Sequence, residues 1–139
     1  MSNASDRLLV LVVDDEASVC TFAERTLRSG GYEVMVASDG PEALRLVEAQ
    51  RQPFALFVVD LLMPEMRGDE LARQLRQRDL DAKVLYFTGY SDRLFEERKT
   101  LWANEAFIEK PVSVSELLEA VSLLLFGHTD GPAGRTSAA

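Results

Sequence analysis

A chain of 139 residues with 47% hydrophobic content can bury one ordinary domain core and leaves little for a second. The single cysteine, Cys20, excludes both a disulfide scaffold and a cysteine-rich zinc site. With 15 Lys+Arg against 23 Asp+Glu the net charge is −8, a balance that disfavours nonspecific attraction to nucleic acid or anionic membranes.

In chain order, Met1–Arg7 carries Ser-Asn-Ala and reads as a loose terminus or tag remnant, outside the fold. Leu8–Val13 is continuously apolar, as are Phe54–Val59 and Val84–Phe87. Such runs, lacking alternation, suit parallel strands buried on both faces. Between the first two runs, Val19, Phe22, Ala23 and Leu27 share one helical face, and Gly30-Gly31 can close that helix in a left-handed conformation. Tyr32–Ala37 includes Glu33 and reads as an edge strand. Pro41 falls where a helix tolerates proline, in its first turn. Leu71 and Leu75 share a face of a further helix, and Ala106–Ile108 is a short fifth strand. Ser113 and Glu116 have capping-box spacing ahead of the Leu117, Leu118, Val121, Leu124, Leu125 stripe. Gly127–Ala139 is rich in small and helix-breaking residues and reads as a disordered tail or linker, which leaves residues 8–126 as the domain. Alternating strands and helices predict an α/β domain, a parallel sheet doubly wound by right-handed crossovers. No apolar run approaches the length of a membrane span and no secretory signal precedes the first strand, so a soluble, cytoplasmic protein with no membrane partner is expected.

In such a sheet ligands bind beyond the carboxyl ends of the strands, where strand order reverses. Asp14, Asp15 and Glu16 follow the first strand, Asp60 the third, Thr88-Gly89 the fourth and Lys110-Pro111 the fifth. Two carboxylates about 5 Å apart repel by roughly 3 kcal/mol at an effective dielectric of 20. Lys110 alone cannot neutralise three acids. A hard divalent cation with oxygen ligands can, and Mg²⁺ suits because it takes carboxylates while leaving positions for water and phosphate oxygens. An aspartate neutralised in this way can act as a nucleophile on phosphorus.

Val13-Asp14-Asp15-Glu16 after a first strand resembles the response-regulator receiver family of two-component systems. So do Asp60-Leu61-Leu62-Met63-Pro64 with Met66 and Gly68, the Thr88-Gly89 pair, and Phe107-Ile108-Glu109-Lys110-Pro111. The resemblance spans Leu8 to about Phe126. It implies a flavodoxin-like, five-stranded sheet of order 2-1-3-4-5 with five helices. It makes Asp60 the phosphoacceptor, Asp15 a direct Mg²⁺ ligand, Asp14 a ligand mostly through water, and the Leu62 backbone carbonyl a further ligand. Thr88 would hydrogen-bond the phosphoryl group and Lys110 would pair with it, with Gly89 keeping the pocket open. The Lys110-Pro111 bond would be cis, and Phe107 would be the aromatic whose rotamer couples to Thr88. Leu62 and Tyr90 would flank the approach of the hydrolytic water and tune dephosphorylation. Implied partners are a histidine kinase or histidine phosphotransfer protein, and an output partner or second copy at the surface built by the fourth helix, fifth strand and fifth helix. Arg93, Glu97 and Arg98 belong to that surface. The Gly-Ala step that the family often shows before the fifth strand is replaced here by Trp102-Ala103-Asn104-Glu105-Ala106, and Asn104 can still adopt a left-handed turn.

Three other functions compete. A flavin mononucleotide binder of the same fold would need Ser, Thr or Gly after the first strand, where acids repel phosphate. A haloacid-dehalogenase-type phosphatase needs an acid two residues after its nucleophile; Asp14 is followed there by Glu16 but lacks later support, Asp60 is followed by Leu62, and the chain is too short for the usual cap. A docking-only receiver would lack one of the five site residues, and none is missing. Whether the chain is a stand-alone regulator or part of a hybrid kinase stays open, as do the pathway and stimulus.

Overall fold

The computed structural model describes residues 7–89 and 104–128. In chain order these form β1 (Leu9–Val13), α1 (Ala17–Ser29), β2 (Glu33–Ala37), α2 (Gly40–Ala49), β3 (Leu56–Asp60), α3 (Gly68–Arg78), β4 (Val84–Thr88), β5 (Glu105–Glu109) and α4 (Val114–Phe126). The described residues thus contain four helices; the fifth helix, expected between β4 and β5, would fall on residues outside them. Tyr90, Arg93, Glu97, Arg98 and Trp102 lie there too.

All five strands pair in parallel, in the order β2-β1-β3-β4-β5. Every residue of β1, β3 and β4 is buried, whereas β2 and β5 have partly open faces. Composition explains the division: central parallel strands must be apolar on both faces, while an edge tolerates Glu33 or Glu109. Alternate strand residues feed two cores. Leu9, Leu11, Val13, Phe57, Val59, Val84 and Tyr86 pack with Ala43 of α2 and Leu71, Ala72 and Leu75 of α3. Val10, Val12, Leu56, Val58, Leu85 and Phe87 pack with Cys20, Ala23 and Leu27 of α1 and Leu117 and Val121 of α4. The sheet is therefore doubly wound. No helix among the described residues is long and apolar enough to cross a membrane.

Local chemistry sets the boundaries. Ser113 accepts from the Glu116 N–H while Glu116 accepts from the Ser113 N–H, so the capping box of α4 forms in full. Asp39 caps α2 by accepting from the Glu42 N–H at 2.8 Å, with Pro41 just inside. Of the Gly30-Gly31 pair, Gly31 takes the left-handed turn (φ 97°), while Gly30 has φ −87°. The third strand begins at Leu56, later than the apolar run suggests. Phe54 nevertheless stays in the core, tilted against Phe57 with ring centroids 5.6 Å apart.

Register decides what meets at the rim. Val13 stands opposite Val59, Asp60 opposite Phe87, and Thr88 opposite Glu109. The carboxyl ends of β1, β3, β4 and β5 therefore finish at one level.

Candidate functional site

Asp14 leaves β1 still tied to the sheet, its N–H donating to the Ala37 carbonyl at 3.2 Å. Its side chain is 1% exposed and turns inward. Oδ1 accepts from the Glu16 N–H at 2.9 Å, an Asx turn that starts the approach to α1. Oδ2 is buried without a hydrogen bond; Lys110 Nζ lies 3.1 Å away, an ion pair outside hydrogen-bonding alignment. The Cys20 thiol of α1 donates to the Asp14 carbonyl at 3.3 Å and holds the turn from behind. Asp15 is exposed.

Asp60 is the last residue of β3 and is 6% exposed. The nearby Leu62 N–H favours its charged form. Beyond it, the chain turns through Glu65 in the left-handed region (φ 71°) and returns at Gly68, whose N–H donates to the Leu61 carbonyl at 2.8 Å. A Cβ on Gly68 would sit 2.2 Å from the Asp60 carbonyl oxygen and 2.9 Å from a Val59 methyl, so only glycine lets α3 start this close to the acid. The family motif contains this glycine, but nothing in the sequence shows what it must avoid.

Thr88 closes β4 fully buried, and its carbonyl accepts from the Lys110 N–H at 2.8 Å, which fixes Lys110 at the rim. The Lys110-Pro111 peptide is cis. Lys110 Nζ faces Asp14 Oδ2 at 3.1 Å, Glu16 Oε1 at 3.6 Å and Asp60 Oδ1 at 3.6 Å, and it lies over the Phe87 ring, 5.4 Å from the centroid. An added Cβ on Gly89 would meet no atom of the described residues within 4 Å. Phe107 on β5 stands opposite Tyr86 and is partly buried against the first core. Leu62 is also partly buried there.

Asp14, Asp15 and Asp60 each offer a carboxylate oxygen within 4.8 Å of the other two. Among the described residues one ammonium, that of Lys110, serves this set. Burial pushes the Asp60 carboxyl up to about 7, and the neighbouring Asp14 charge adds to the effect against the pull of Lys110. Burial also raises Asp14, against the Glu16 N–H and Lys110. For Lys110 burial opposes the charge, but the surrounding acids outweigh it and raise its pKa. Hard oxygen donors, a buried oxygen without a hydrogen bond, and an excess of negative charge fit a small divalent cation. Sequence reading anticipated the Asp14, Asp15, Asp60, Thr88 and Lys110 grouping. It did not anticipate the Cys20 contact, the reach of Lys110 to Glu16, or the Phe87 ring, because each depends on side-chain direction more than on residue order.

Residues 10–122 match the family model described as "Response regulator receiver domain". The chain is 35% identical over 124 residues to the sensor kinase CckA of Brucella abortus, covering 89% of this chain and 13% of that protein. It is 34% identical over 116 residues to the transcriptional regulatory protein PhoP of Bacillus subtilis, covering 84% of this chain and 48% of that protein. The chain thus spans half or less of the length of these curated relatives. Among solved structures, the response regulator TrrA of Thermotoga maritima, determined in complex with Mg(2+)-BeF, superposes with a TM-score of 0.74 at 32% identity, covering 85% of this chain and 99% of that one. With the five-stranded order, the acidic rim and these matches in hand, the chain belongs to the response-regulator receiver domain family.

Proposed function

We propose that Asp60 accepts a phosphoryl group from a phosphohistidine on a histidine kinase or histidine phosphotransfer protein, and that the modified rim switches a protein-binding surface. The observation that carries this reading is the Asp60 carboxylate at a strand end, 6% exposed, facing a single ammonium and two further acids. A carboxylate oxygen of Asp60 attacks phosphorus, the phosphorus–nitrogen bond to the donor imidazole breaks, and the imidazole leaves with the electron pair. Lys110 pairs with the phosphoryl oxygens, and the Thr88 hydroxyl donates to one of them. Asp14, Asp15, Asp60 and the Leu62 carbonyl would hold Mg²⁺, which when bound neutralises the acids and the charge developing on the phosphoryl oxygens.

On phosphorylation Thr88 moves toward Asp60 and Phe107 turns inward. The face formed by the segment before β5, by β5 and by α4 then changes shape, since the phosphoryl group contacts Thr88 in one state only. An output protein or a second copy docks there. The acidic balance of the chain disfavours nucleic acid and membranes as partners, and the reaction fits the cytoplasm.

Acetyl phosphate with Mg²⁺ is the direct test. Mass spectrometry should find one phosphoryl group per chain, lost in Asp60→Asn. An undiminished adduct in that variant would overturn the assignment.

A further inference from the structure

One contact at the rim has no part in the chemistry above. Phe87 belongs to the otherwise aliphatic side of β4 that faces α1 and α4, and it is 3% exposed. Its ring lies under Lys110 Nζ, 5.4 Å from the centroid, within the roughly 6 Å reach of a cation–π contact. Lys110 has two directions open to it. Inward are Asp14 and Asp60, both buried; outward is Glu16, whose side chain is 63% exposed and whose carboxylate lies as near to the ammonium as that of Asp60. An ion pair with Glu16 competes in water, where it is worth little but costs Lys110 nothing in desolvation. The ring is a negative face fixed by the core, and it favours an ammonium held against it.

We infer that Phe87 is a positioning residue for Lys110: its ring holds the ammonium at the rim, where Asp14 and Asp60 lie 3.1 and 3.6 Å away. This rests on the reading of Asp60 as phosphoacceptor. An aliphatic residue removes the ring but also some core volume, so Phe87→Tyr, which keeps the ring, separates the electrostatic effect from packing.

The comparison is between wild type, Phe87→Leu and Phe87→Tyr. The groove of about 440 Å³ that Phe87 and Lys110 share with Val19, Phe22 and Val112 leaves room for the tyrosine hydroxyl. In the metal-free, unphosphorylated protein, the Lys110 Cε protons should resonate upfield of ordinary lysines through the ring current, in wild type and Phe87→Tyr but not in Phe87→Leu. With acetyl phosphate and Mg²⁺, phosphorylation of Phe87→Leu should slow about three- to tenfold, and Phe87→Tyr should recover to within about twofold of wild type. If the Leu variant does not fold, Phe87→Met carries the same comparison. An unshifted Lys110 in wild type, equal rates in all the proteins, or equal slowing in the Tyr and aliphatic variants each overturns the inference. Absence of any phosphoryl adduct in wild type defeats the Asp60 reading instead, and the Lys110 resonance still decides the role of Phe87.

Discussion

Two buried carboxylates on this sheet meet opposite treatment. Glu105 opens β5 with its side chain fully buried, and there it pairs with the Arg76 guanidinium of α3 and accepts from the Tyr86 hydroxyl at 3.0 Å. Among the described residues one cation faces one acid, and the cluster ties α3 to both β4 and β5. Asp60 is as deeply placed, yet it shares one ammonium with Asp14 and Glu16 and stands beside Asp15. Among the described residues the first cluster is balanced, and the second carries more acids than cations. The two acids differ here less in burial than in how the counter-charge is supplied.

Breaking the balanced cluster should have the largest effect. Arg76→Ala takes the guanidinium from a buried acid, and urea denaturation should show a loss of about 3 kcal/mol or more. Asp60→Asn, measured the same way without divalent ions, should instead stabilise the fold by on the order of 1–3 kcal/mol, because it removes charge from a crowded set. A loss in both variants would contradict the contrast.

Titration separates the clusters next. The Asp60 carboxyl is raised from 3.8 to about 7, so the folded state holds a proton that the unfolded chain has released between those values. Stability must therefore fall as pH rises through that window and level off above it. In a chelating buffer wild type should lose on the order of 2–3 kcal/mol more than Asp60→Asn between pH 5 and pH 8. Parallel profiles for the two proteins would show that Asp60 titrates normally.

Counter-charge supplied from outside should undo that penalty. With Mg²⁺ at about ten times its dissociation constant, the gain is roughly 1.4 kcal/mol, a melting shift of about 3–5 °C. Asp15→Ala should abolish the shift, whereas Arg76→Ala should keep it on a lower baseline. An equal shift in Asp15→Ala would place the ion elsewhere.

The smallest effect concerns lifetime at the unbalanced rim. Leu62 lies two residues past Asp60 and Tyr90 two past Thr88; a leucine orients no water, and a tyrosine ring mostly fills space. Leu62→Asn with Tyr90→Glu should speed loss of the phosphoryl group about tenfold, the equivalent of roughly 1.4 kcal/mol. Decay followed by mass spectrometry checks this, and an unchanged rate would mean that water access is set by other residues.

Much of this could be read before any coordinates existed, for a physical reason. Central parallel strands must be apolar throughout, so Val84–Phe87 declares itself, and the residue after such a run must stand at the rim. The position of Asp14 and Asp60 at the rim is therefore legible from the sequence alone. Edges were legible through Glu33. Strand order was not, since nothing in periodicity says which strand lies beside which; it came from the family resemblance. Asp39 escaped notice as a cap because Pro41 already accounted for the start of α2. The Arg76–Glu105 pair, 29 positions apart in the chain, leaves no local pattern at all.

The return of the chain at Gly68 separates what must stay from what can change. The excursion after Asp60 leaves and re-enters the sheet at one point, closed by the bond from Gly68 to Leu61. Leu61 and Met63 anchor it in the core, and Met66 lies against Gly40 at the start of α2. Only Pro64 and Glu65 stand out at its crest, both exposed. That crest is the part of the excursion least tied to the core, so substitutions at Pro64 and Glu65 should leave the placement of the Asp60 carboxylate unchanged.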